Sequence, residues 1–214
     1  MKQAILKRLK ELGGNISNTK GGSLYEDLLA VTFDTVLYAD FFDEHETGGI
    51  EIWCLDEFFD DNKTLFSQDN HAFISKLLDK YFRTTEENEE GRSETFWKGT
   101  LYTPFQKGTV DFEDWQSFAN FPNYEVDLTE VYKVINDTKP DFIWLFHDHA
   151  GCPDHYYICL SDPNPDNPTV FGTDHEEFFQ KIQNMGCLFD FLNKFLTKEQ
   201  FLETALKHIE EFIW

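Results

Sequence analysis

Positive charge is scarce in this chain: 18 lysines and arginines stand against 40 aspartates and glutamates, a formal charge of −22 over 214 residues. A surface this negative repels phosphate backbones and anionic bilayers, which excludes nucleic acid as a direct partner and a membrane as a docking surface. Cysteine is sparse too. Cys54, Cys152, Cys159 and Cys187 are scattered with no CxxC pair, which excludes a dithiol redox motif and a dense disulfide framework and leaves reduced, mostly buried thiols. No apolar run is long enough to cross a bilayer. The opening "MKQAILKRLKELGG" mixes charged and apolar residues at helical spacing and lacks the apolar stretch and cleavage site of a secretory leader, so it reads as the first helix of a cytoplasmic protein. Catalytic signatures are missing as well: there is no GxSxG, HExxH or GxxxxGK, and no GxGxxG after a strand, so no enzyme class is indicated.

What the chain does have is aromatic and apolar side chains, 17% and 41% of its residues. An acidic chain with so many aromatics folds rather than staying disordered, and its length suits one domain spanning 1–214. Apolar positions at three- and four-residue spacing predict helices in "NHAFISKLLDKYF" and in "TKEQFLETALKHIEEFIW", the latter a C-terminal helix over 198–213 opened by the capping box Thr197/Gln200. A third helix is expected in "DLTEVYKVI", opened by Asp127 with Glu130 three residues on. Strands are expected in "GIEIWCL", "FIWLF", "HYYICL" and "PTVFG". Because "FIWLF" and "HYYICL" are joined by a short Gly- and Pro-containing link, they read as antiparallel neighbours, and "SDPNPDNP" reads as a stiff turn. Helices do not alternate regularly with strands, so the fold class is α+β, a mainly antiparallel sheet flanked by helices.

Two clusters carry ligand-type side chains. The stretch "HDHAGCPDH" supplies His147, His149, Cys152, Asp154 and His155, the right atoms for zinc. It stands alone, with no second paired knuckle elsewhere, so the favoured reading is a set of polar residues closing a bend at a strand end, with no metal and no cofactor. In "GTDHEEFF", Thr173 with Glu176 reads as a helix capping box, and acids in a first turn suit the helix dipole. An imbalance of charge this large destabilises the compact state and speeds encounter with a basic partner, for which Phe58, Phe59, Trp97, Phe105 and Trp115 are candidate interface anchors.

The order "GGIEIWCLDEFFDDN", "DFIWLFHDHAGCPDHYYICL", "PTVFGTDHE", "CLFDFLNKFL" resembles the SUKH superfamily, typified by the yeast Smi/Knr-type regulators of cell-wall synthesis and by many bacterial proteins. Gly151 and Asp154 to Tyr157 are similar to the family's turn and following strand, Val170 to Glu176 to its short acidic-ended strand, and Leu188, Phe191 and Leu192 to its final helix. The resemblance covers residues 49–196 and is strongest over 141–196. Residues 62–126 are longer than the family's usual link and read as an insertion after the first strand, and Cys152-Pro153 interrupts the usual turn.

The resemblance implies a binding protein rather than an enzyme: an immunity protein that neutralises a cognate toxin, often a nuclease, in the cytoplasm. The expected interface is an acidic surface at Asp148, His149, Asp154, Asp174 and Glu176, facing a basic toxin domain. The alternatives are a regulatory scaffold of the cell-wall type and, behind it, a metal-dependent enzyme using His147, His149, Cys152 and His155.

Overall fold

The computed structural model describes residues 1–39, 52, 54–83, 94–148 and 153–213, with only the backbone at 212 and 213. The chain opens with α1 (Lys2–Glu11), which buries Ile5, Leu6 and Leu9 on one side. Next comes α2 (Leu24–Ala30), whose start is a reciprocal capping box: Glu26 N donates to Ser23 Oγ at 3.1 Å and Ser23 N to Glu26 Oε2 at 3.0 Å. The two helices are tied by Lys2 Nζ, 2.8 Å from Asp27 Oδ2. After β1 (Leu37–Tyr38), α3 (Leu55–Gln68) and α4 (Asn70–Tyr81) follow each other, separated by Asp69, whose side chain accepts from Ala72 N. The remaining elements are β2 (Glu94–Tyr102), α5 (Val110–Ala119), α6 (Thr129–Tyr132), β3 (Phe142–Asp148), β4 (His155–Cys159), β5 (Thr169–Asp174), β6 (Phe178–Cys187), α7 (Leu188–Leu192) and α8 (Lys198–Ile213).

The six strands form one sheet in chain order, each antiparallel to the next. Its central strands are buried on both faces, and the two-residue period decides which side chain goes where. On β4, Tyr156 and Ile158 join Ile143, Leu145 and Val170 under α1, α2 and α7. Tyr157 and Cys159 point the other way, with Phe142, Phe171 and Phe179, under Trp115 of α5 and Val131 of α6. A third apolar cluster gathers α3, α4 and α8 against Val36, Tyr38 and Phe96, at the β1–β2 side of the sheet.

The α+β architecture and the antiparallel sheet are as the sequence predicts. The helices at 70–81 and 198–213 stand where periodicity puts them, and Thr197/Gln200 caps α8 as a true box. Two expectations change. The helix opened by Asp127 is a single turn, because Asp127 Oδ1 accepts from Thr129 N two residues on, and β-branched Thr129, Val131 and Ile135 favour helix weakly. Thr173 caps no helix: it lies inside β5, its hydroxyl donates to the carbonyls of Phe178 and Lys181, and 175–177 is the turn into β6. The segment 62–126 supplies β2, hydrogen-bonded between β1 and β3, so this part of it belongs to the sheet. Of "GIEIWCL", only Ile52, Cys54 and Leu55 are described, and Leu55 opens α3; the strand expected there lies outside the described residues.

Candidate functional site

Strand register assembles the first candidate site. Pairing of β3 with β4 sets His147 opposite His155, and pairing of β4 with β5 sets His155 opposite Thr173. The two imidazoles meet edge to face, with ring centroids 4.9 Å apart. A register shift between Trp144 and Phe146 brings the Trp144 ring within 4.9 Å of His155 and 6.1 Å of His147. Lys98 Nζ lies 5.6 Å from the centre of the Trp144 ring.

Asp154 precedes β4 and turns inward, only 3% exposed. Its main-chain carbonyl accepts from Asp148 N at 2.7 Å, closing the β3–β4 link. Gly172 of β5 makes room for this segment, since a Cβ there would lie 2.5 Å from Pro153 Cγ. Asp154 Oδ2 accepts from Nδ1 of His175, which reaches across from the β5–β6 turn. Oδ1 is buried, has no hydrogen-bond donor among the described residues, and stands 3.9 Å from His155 Nε2. Each of His147, Asp154 and His155 offers one donor atom, and the three atoms lie within 4.8 Å of one another.

The two flanking histidines are pushed in opposite directions. Burial holds His155 below the ordinary imidazole value, against the pull of Asp154. His175 is 63% exposed at its side chain and is raised by its hydrogen bond to Asp154. The Tyr157 hydroxyl lies 3.4 Å from His155 Nδ1.

The residues expected at a partner surface are thereby divided. Asp148, 9% exposed, and Asp154 are buried. Asp174 is half-buried, with Glu176 N donating to its Oδ1 at 2.6 Å, and Glu176 is exposed. His149, like Cys152, lies outside the described residues. The aromatic anchors also change: Phe58, Phe59 and Trp115 are core, while Trp97 and Phe105 are half-buried.

Other aromatics reach the surface. Phe118, near the end of α5, is 43% exposed, and Phe121, just beyond it, is 68% exposed. Phe118 stacks on Phe178 of β6 with centroids 4.8 Å apart, and the Tyr124 hydroxyl donates to the Glu177 carbonyl at 3.2 Å. The patch therefore abuts the acidic β5–β6 turn. Between residues 110 and 127 the chain carries Asp111, Glu113, Asp114, Glu125 and Asp127 with no lysine or arginine. That local bias, with phenylalanines at 118 and 121, is the signal by which the sequence marks this surface.

Comparison with protein-family models, with curated proteins and with solved structures finds no match. No helix among the described residues is long and apolar enough to cross a membrane. The reading of function thus rests on the two constellations themselves.

Proposed function

We propose that this chain is a cytoplasmic, SUKH-type binding protein that neutralises a basic toxin domain of the nuclease kind. The observation that carries the reading is the exposed Phe118/Phe121 patch set against the acidic turn of Asp174, Glu176 and Glu177. Exposed large apolar side chains are the kind that anchor interaction hot spots, and the acidic turn beside them favours a basic partner. A nuclease is basic because it holds a phosphate backbone, so an acidic inhibitor matches its field. Asp148 and Asp154, being buried, act here by shaping the turn from beneath rather than by touching the partner.

The test is co-expression with a basic toxin domain of the nuclease kind. Growth should be restored and the two proteins should co-purify. Phe121→Ala, on an exposed side chain that the core does not need, should weaken the complex about 30-fold, the ~2 kcal/mol of an interface hot spot. A complex indifferent to Phe121→Ala and to Glu176→Lys would place the interface elsewhere. Failure to restore growth, together with binding to a wall-synthesis enzyme, would favour the regulatory scaffold instead.

A further inference from the structure

We propose that His147, Asp154 and His155 form a three-ligand site for a divalent transition ion of the zinc class. The argument begins with Asp154 Oδ1, a carboxylate oxygen taken out of solvent with no donor among the described residues to satisfy it. Such an atom is costly to bury, and a bound ion is one arrangement that satisfies it. It faces His155 Nε2 at 3.9 Å, and His147 supplies a third donor from the neighbouring strand.

The donor set selects the ion. Calcium and magnesium take oxygen ligands, whereas two imidazoles and one carboxylate match zinc and its first-row neighbours. An ion bound at about 2.1 Å holds adjacent donors about 3 to 3.5 Å apart, so these three close onto it with roughly 1 Å of side-chain movement. Three protein ligands leave a coordination position open.

The surroundings fit as well. His175 holds the second oxygen of Asp154, and the Tyr157 hydroxyl beside His155 Nδ1 leaves Nε2 as the nitrogen turned toward Oδ1. Partners of this kind orient the ligands of metal sites. Lys98 brings positive charge to this end of the sheet, but Asp148, Asp154 and Asp174 outnumber it. The site is separable from the binding role proposed above: the toxin complex can form without an ion, and the ion can bind without a toxin.

The test is a zinc titration of the purified full chain after chelation, with far-UV circular dichroism to confirm folding. Zn²⁺ should bind at one equivalent per chain and raise the melting temperature, and Co²⁺ in its place should show visible absorption. His147→Gln and His155→Gln should each weaken Zn²⁺ by about 100-fold or more, beyond the ~10–100-fold of outer partners. His175→Ala, a positioning change, should weaken it by about 10-fold, and His71→Gln, at an exposed helix position, should change nothing. Because Asp154→Asn disturbs a buried contact and can cost the fold, the two histidine variants carry the decision. Substoichiometric binding by the native chain overturns the proposal, as does undiminished binding by folded His147→Gln or His155→Gln.

Discussion

Asp27 is a buried charge held by an ion pair and two backbone donors. Burial acts to raise its pKa, but Lys2 and the backbone N–H groups of Gly21 and Lys20 outweigh it and hold the carboxyl below its ordinary value near 3.8. A depressed folded value means that the stabilisation is fully present above the unfolded carboxyl's pKa and is lost as pH falls through the folded one. Asp27→Asn should therefore cost ~2 kcal/mol at neutral pH, less than a fully enclosed pair because Lys2 keeps some contact with water. Urea unfolding followed down the pH scale should show the two proteins converging below about pH 4. A difference that persists at low pH would assign the effect to packing.

Among the elements, β5 has little freedom at Gly172. A methyl group there meets the stiff Pro153 ring and comes within 3.4 Å of Met185 Cγ. Gly172→Ala should destabilise by ~1–3 kcal/mol, the range for overpacking, and should lift the Pro153–Asp154 segment off the sheet. Urea unfolding gives the first quantity, and the imidazole shifts of His155 and His175 in NMR report the second. The elements also show how far local signals reach. A small polar residue followed three positions later by an acid or amide marks real helix starts at Ser23/Glu26 and Thr197/Gln200, but at Thr173/Glu176 the same spacing lies in a hairpin. There Thr173 and Asp174 pair with Ile182 and Phe178 of β6, and strand pairing overrides the capping preference. The ligand-type cluster was visible as composition, but its grouping was not. That His147 meets His155 depends on register, and that His175 reaches Asp154 depends on a different hairpin.

For the whole molecule, −22 charges act on stability and on association with opposite signs. Self-repulsion loosens the folded chain, so raising ionic strength from about 0.01 M to about 0.5 M should raise its melting temperature. The same salt should slow encounter with a basic partner and weaken the complex. Calorimetry of the free chain alongside titration of the pair separates the two trends, and trends of the same sign would contradict an electrostatically guided interface. The fold class could be read from the sequence because α1, α4 and α8 are strongly periodic and β3 and β4 are continuous apolar runs. Strands β2 and β6 were less legible because their alternation is interrupted, by Lys98 and the side-chain-free Gly99 in one and by Gln183 and Asn184 in the other.

The sheet's neighbour-to-neighbour order has a kinetic consequence. From β3 onward each strand finds its partner across a short link, so closing those loops costs little entropy before contacts are gained. The β3–β6 run, which holds His147, Asp154, His155 and the acidic β5–β6 turn, can thus zip up early as successive hairpins, with the Phe118/Phe121 patch at the end of α5 and the long-range docking of α1 and α8 added to it afterwards.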